Sequence, residues 1–298
     1  MKTALIVVCC LALMGVAPIP FAAQSPGEPD STGMPGDHFT LQGALELFKK
    51  AASPEEFEKL LNTEDNHVNN LDLNGDGDVD YIRVVEKKDG DVRVFVLQAP
   101  VSEKESQDIA VIELEKKGED DAMLQIVGDE DIYGERTIVE PDGGGEDDEE
   151  EVAPEPRGKK RGPNTSPAFS EPLSMPRVVV NVWTWPVVRY VYAPGYTVWV
   201  SPWRWRVYPA WWHPWRPLAW RAFHPFRARY HAGFAVVRTH RVVHAHRIYA
   251  PGRVTSVSVR TRHRDSVNRY RVTRTTTVKT KGGAVKTTRT TKVTRKRR

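Results

Sequence analysis

Five side chains that can offer oxygen lie within nine residues in the pattern Asp72-x-Asn74-x-Asp76-Gly77-Asp78-x-Asp80. A hard cation needs several oxygen ligands around one point, and alternate residues on a tightly curved loop aim inward. Asp72, Asn74 and Asp76 supply that alternation, and Gly77 permits the sharp turn. Asp78 offers its carbonyl, and Asp80 binds directly or through water. The chemistry expected is Ca2+ binding in a structural role, with a Kd on the order of 10⁻⁴–10⁻³ M as in extracellular modules. Mg2+ suits the loop less because it demands stricter geometry. The bland alternative is an acidic Asn/Gly/Asp turn that binds nothing.

A second group of residues points to surfaces. All nine tryptophans lie between positions 183 and 220, interleaved with arginine. Trp203-Arg204-Trp205-Arg206, Trp211-Trp212-His-Pro-Trp215-Arg216 and Arg221 can sit at a lipid–water interface, stack on sugars or bases, or pair with phosphates. The competing reading is a packed aromatic ribbon whose arginines are merely solvated. His240, His244 and His246 form a poor divalent site on sequence grounds, because Arg238, Arg241 and Arg247 oppose a cation there. Enzyme motifs are lacking: there is no P-loop, HExxH or GxSxG, and both cysteines, Cys9 and Cys10, fall in the leader. A non-enzymatic protein is expected.

The elements that must position these residues are read from periodicity. Leu41, Ala44, Leu45 and Phe48 mark one buried face of a helix over 40–51. Ser53-Pro-Glu-Glu56 opens a second helix, with Ser53 as cap, Pro54 at the first position and Glu56 closing a capping box. Phe57, Leu60 and Leu61 would face the core. Strands are expected over 79–86 and 91–99 around an Asp89-Gly90 turn, over 109–115 and 122–127, and over 136–140 as a short edge. Helices followed by a meander give an α+β domain: two helices packed on an antiparallel sheet of four or five strands.

The domain plan follows from composition. Residues 1–23 read as a signal peptide with Lys2 before a short apolar run, and 24–37 as a disordered segment. The acidic α+β domain occupies 38–140 with the calcium-like loop at 72–80, and a charged linker covers 141–176. A Trp/Arg/Pro-rich module at 177–231 is expected to be an aromatic β-hairpin, strands 178–192 and 197–208, followed by polyproline-like chain. Residues 232–298 read as a largely disordered basic tail, since little apolar area offsets the ordering entropy.

Charge divides the chain. Residues 24–156 hold 37 acidic against 11 basic side chains, whereas 157–298 hold 31 basic against two acidic. A polyanionic partner suits the second half, and export favours an envelope polymer or lipid over genomic nucleic acid. Two other uses of the charges stand open: folding of the basic half onto the acidic half of the same chain, and self-association by head-to-tail pairing.

The nine-residue loop resembles the calcium loops of EF-hand and dockerin proteins. It departs from an EF-hand at loop position 12, which is Arg83 rather than a bidentate Glu, and in the strand-like sequence that follows. Glu86 or a distant acid would have to complete the site. The stretch from Asn70 to Val84, with Ser102-Glu-Lys-Glu-Ser-Gln-Asp-Ile-Ala-Val-Ile-Glu113 and the aromatic run at 190–203, is similar to uncharacterised exported proteins of Bacteroidota bacteria. That resemblance implies a periplasmic or outer-envelope setting and brings no activity. The combined expectation is an exported, calcium-binding, non-enzymatic protein whose cationic aromatic region meets an anionic envelope surface.

Overall fold

The computed structural model describes residues 31–143 and 179–273. The expected signal peptide, residues 24–30 of the expected disordered segment, residues 144–178 of the linker and module, and residues 274–298 of the tail lie outside the described residues.

Local signals set the first elements. Thr40 Oγ1 accepts from Gly43 N–H at 3.2 Å and starts α1 (Leu41–Lys50). Ser53 Oγ accepts from Glu56 N–H at 3.1 Å and starts α2 (Pro54–Leu61), while the Glu56 carboxylate reaches back to Ala52 N–H at 2.7 Å. Residues 31–37, expected to be disordered, are folded around Asp37, whose carboxylate accepts from Ser31 and Thr32 hydroxyls at 2.6 and 2.8 Å.

The fold mixes helices with one antiparallel sheet of six strands in sequential order, one more than the expected maximum. These are β1 (Arg83–Asp89), β2 (Val92–Pro100), β3 (Ser106–Gly118), β4 (Asp121–Gly128), β5 (Thr137–Pro141) and β6 (Phe234–Val237). The first hairpin turns at Gly90-Asp91, because Asp89 still pairs with Val92 and Gly90 takes the positive φ of 53°. Strand β1 starts at Arg83 rather than residue 79. The backbone before it is held by other groups: Asn69 Nδ2 donates to the Asp80 carbonyl at 2.8 Å, and Ile82 N–H donates to Asn62 Oδ1 at 2.8 Å.

Both faces of the sheet are covered. On one face Phe95, Leu97, Ile112 and Ile126 pack with Leu45 and Phe48 of α1 and Phe57 and Leu61 of α2. Val182, Val187, Val188 and Val191 join this core from residues 179–191, which include α4 (Pro186–Val191); a short helical turn, α3 (Glu130–Tyr133), links β4 to β5. On the other face Val92, Val94, Val96, Val111 and Val127 meet Val242, Ala245 and Tyr249 around α6 (Val243–Tyr249). Between these covers run α5 (Trp220–Ala228) and β6, and α7 (Val257–Arg262) and α8 (Arg264–Thr273) follow α6.

Three expectations for the second half are therefore corrected. The aromatic hairpin is absent, because Pro186 opens a helix within its first arm and residues 199–201 pair with the edge of β1 instead. Glu86 N–H donates to the Trp199 carbonyl at 2.9 Å, and Ser201 N–H donates to the Val84 carbonyl at 3.0 Å. The described part of the basic tail is ordered, because β6 extends the sheet at β5 and α6 buries its apolar side on the second face. The described parts of the acidic domain and the aromatic module are not separate bodies: the described residues from 31 on belong to one compact unit. Both original sheet edges, at β1 and β5, are thereby paired by the C-terminal half. No helix among the described residues is long and apolar enough to cross a membrane.

Candidate functional site

Loop 72–80 is closed at its base by Asp80 N–H donating to the Leu71 carbonyl at 2.7 Å, with Leu71 and Leu73 buried below it. Gly75 and Gly77 take positive φ values of 75° and 90°, a backbone state that strongly favours glycine. The Asp72 carboxylate accepts from Gly75 and Gly77 N–H at 2.6 and 3.0 Å. Asn74 Oδ1 accepts from Asp76 N–H at 2.7 Å, and Asp76 Oδ1 from Asp78 N–H at 3.0 Å. Each short polar side chain thus bonds backbone N–H groups two to five residues on, which extends the turn chemistry of Asx motifs.

Two carboxylates meet inside the loop. Asn74 Nδ2 donates to Asp76 Oδ2 and to Asp80 Oδ1, both at 2.9 Å. The second oxygen of Asp80 accepts from Leu73 N–H at 2.6 Å. Asp80 is 5 % exposed, and burial raises its carboxyl to about 7, with the charges of Asp72 and Asp76 adding and the Leu73 and Asn74 donors opposing. A positive partial charge, the Asn74 amide, lies between two acids, one of which is costly to ionise there. A divalent cation in that position would meet oxygens of Asp76 and Asp80, and the residues present suit a hard ion. Asp72 is turned toward backbone N–H groups, and Asp78 is exposed.

Glu86, which the sequence offered to complete the loop, is engaged elsewhere, and Arg83 at loop position 12 bonds β2. Arg83 donates to Gln98 Oε1 at 2.9 Å through Nε. Glu86 accepts from Trp199 N–H at 3.0 Å and from the Tyr196 hydroxyl, so it is engaged on the far part of β1. Two contacts from the C-terminal half take their place. Val79 N–H donates to the Trp215 carbonyl at 2.8 Å, and the Arg262 guanidinium donates to the Leu73 carbonyl beside Gly75.

The aromatic and cationic residues are divided by the fold. Trp212 is buried, 5.1 Å edge-on to Tyr81 and 4.6 Å from Tyr208, and is not available to a surface. Trp203, Trp205 and Trp215 are half-buried, and Trp211 is 44 % exposed under the Lys59 ammonium. Arg204, Arg206, Arg216 and Arg221 face solvent. The chain matches no protein-family model, no curated protein and no solved structure.

One constellation was missed in the sequence. The buried carboxylate of Glu58 accepts from Tyr81 hydroxyl, Val84 N–H and Ser201 hydroxyl, each at 2.8 Å, and from Trp199 Nε1 at 3.3 Å. Burial raises its carboxyl above the ordinary range, and the four donors pull it back only in part. Above it a cavity of about 330 Å³ is lined by Trp199, Trp203, Trp211 and Tyr81 with Glu55 and Lys59. The available signal was position: Glu58 follows Phe57 and precedes Leu61 by three residues, which puts an acid beside the buried helix face.

Proposed function

We propose that this chain is an exported, non-enzymatic envelope protein whose body is braced by Ca2+ at loop 72–80 and which presents exposed arginines to an anionic polymer or lipid surface. Asp76 and Asp80 are the principal side-chain ligands, Asn74 turns its amide oxygen inward on binding, and Asp72 and Asp78 shape the loop. The contact that carries this reading is the 2.8 Å hydrogen bond from Val79 to the Trp215 carbonyl. It joins the ion loop to the segment that ends in the exposed Arg216, so occupancy of the loop fixes the backbone beside the cationic face. Arg204, Arg206, Arg216 and Arg221 then act as charges for phosphate or carboxylate groups, with Trp205 and Trp211 as partly exposed neighbours. Pairs such as Asp129 with Arg253 and Glu140 with Arg241 support folding of the basic half onto the acidic half of the same chain.

The test uses the full mature chain on phosphatidylglycerol vesicles at fixed calcium. Binding at low ionic strength that falls steeply with salt, and that weakens in a combined Arg204→Ala, Arg206→Ala, Arg216→Ala variant, is the expected result. Absence of binding at low salt removes the anionic-surface reading. Equal loss on Asp80→Asn would tie the loop to the surface; unchanged binding would separate them.

A further inference from the structure

The second sheet face holds a fully buried acid that the calcium loop does not use. Glu113 lies in β3 opposite Gln125 of β4, and its side chain has no solvent exposure. Its two oxygens meet two histidines from the C-terminal half: Oε2 is 2.5 Å from His240 Nε2, and Oε1 is 2.7 Å from His246 Nδ1. The imidazole rings stand nearly perpendicular with centroids 4.9 Å apart. One carboxylate oxygen and the two ring nitrogens all lie within 4.8 Å of one another, and this is the only such trio of ligand atoms among the described residues.

We infer that Glu113, His240 and His246 form a second metal site, for a borderline divalent ion of the Zn2+ class. Two imidazole nitrogens and one carboxylate are the ligand chemistry of such ions, whereas Ca2+ takes oxygen ligands. Each of the two contacts needs a hydrogen between nitrogen and oxygen. A single ion at about 2.0–2.2 Å from each ligand replaces both hydrogens and leaves a coordination position for water. The His240 and His246 side chains keep 13 % and 23 % exposure, so the cluster meets solvent on its histidine side, and a cavity of about 150 Å³ is lined by His246 with Gly128, Asp129 and Tyr249.

The site is held by rigid neighbours. Gln125 clamps the chain on both sides of His240: its Nε2 donates to the Thr239 carbonyl at 3.0 Å, and its Oε1 accepts from Arg241 N–H at 2.7 Å. His246 sits on α6, anchored by buried Ala245 and Tyr249. The sequence objection was the row of neighbouring arginines. Arg241 turns its Nε to 3.4 Å from Glu140 Oε2, and Arg238 and Arg247 are exposed, so these guanidinium groups are directed to Glu140 or lie at the surface. His244, the third histidine of the sequence pattern, is exposed on α6 and takes no part.

The experiment is titration of the metal-stripped full chain with Zn2+, and with Co2+ for its visible absorption, in excess Ca2+ so that the acidic loop is not the reporter. One equivalent of Zn2+ is expected, with Co2+ bands of four-coordinate intensity. His240→Ala and His246→Ala should each weaken binding by at least about tenfold, and His244→Ala should bind like the natural chain. Glu113→Gln keeps the shape of the buried side chain and should also weaken binding. The inference is overturned if the natural chain takes up no stoichiometric Zn2+, or if His244→Ala weakens binding as much as the His240 and His246 variants. Near-ultraviolet circular dichroism of each variant separates loss of ligand from loss of fold.

Discussion

Residues 31–143 and 179–273 are built by different rules. In the first region each element is announced by neighbours: a capping hydroxyl three residues from the N–H it accepts, a glycine at the hairpin, alternation along a strand. In the second region the partners are remote. Ser201 bonds Glu58 across 143 residues, and Ser256 bonds Gln107 across 149. Four buried acids of the first region, Glu58, Asp108, Glu113 and Asp129, each accept from the second region. Opposite charge is thus used inside the body, and the lesson is that segregated charge along a chain need not mean separate modules.

The strongest way to break the comparison is to remove the second region. A chain ending at residue 143 uncovers Val92, Val94, Val96, Val111 and Val127 on one face and frees the edges of β1 and β5. At about 1.5–3 kcal/mol for each fully buried aliphatic side chain, five such losses reach the ~5–15 kcal/mol by which small domains are stable. Size-exclusion chromatography and thermal melting should show aggregation or no cooperative transition. A monomeric fragment with a sigmoidal melt would restore the picture of independent modules.

Much of the first region was legible. The spacing at 41–48, the Ser53 cap and a hairpin at Asp89-Gly90, one residue before the Gly90-Asp91 turn that forms, need only information within ten residues, and so does the loop at 72–80. The run Val92-Arg-Val-Phe-Val-Leu97 also carried a message not used: strands covered on both faces read as continuous apolar runs. What could cover the second face was not legible. Residues 242–249 have only Val242, Ala245 and Tyr249 on their buried side, a weak signal among arginines and histidines. Glu113 looked like any other acid in an acidic half, since its two histidines lie 127 and 133 residues away. Arg83, at position 12 of the loop, opens β1, and no local rule showed that the Trp215 carbonyl and Arg262 would brace the loop.

The next largest effect falls at Glu58, where both regions donate to one carboxylate. Glu58→Ala leaves Val84 N–H and the Ser201 and Tyr81 hydroxyls without their acceptor, at a cost of about 3 kcal/mol by denaturant unfolding. The pH dependence has a definite sign. Burial holds this carboxyl above its ordinary 4.5, so the folded state binds its proton more tightly than the unfolded chain. The contribution is present below about 4.5 and is lost as pH rises through the folded value. Glu86, Asp108 and Asp129 are raised by burial as well and add in the same direction. Glu58→Gln should flatten part of the decline in melting temperature above pH 4.5; an unchanged profile would show that Glu58 is not its source.

Calcium sharpens the comparison from the first region's side. If the proposed site binds with Kd on the order of 10⁻⁴–10⁻³ M, about 10 mM Ca2+ should stabilise the body by roughly 1.4–2.7 kcal/mol. A rise in melting midpoint by a few degrees is expected relative to chelator, and Asp80→Asn should abolish it. Equal midpoints in the natural chain would mean that loop 72–80 is a turn held by its own hydrogen bonds alone.

The smallest effects come from the two arginines that bridge to the α3 acids. Arg253 meets Asp129 through Nε at 2.5 Å and through Nη2 at 2.8 Å, and Asp129 is buried. Its own side chain is 27 % exposed, so solvent screens part of the pair, and Arg253→Ala should cost about 2 kcal/mol. Arg260 approaches Asp131 at 3.7 Å with 59 % of its side chain exposed. Arg260→Ala should change stability by less than about 0.5 kcal/mol. The contrast matters more than either value. Both residues are cations of the basic half facing acids of the other, and formal charge alone would rank them together. If urea unfolding gave equal losses, net attraction between the halves would hold the body. A gap of the expected size instead assigns the work to those cations that reach buried acids rather than to net charge.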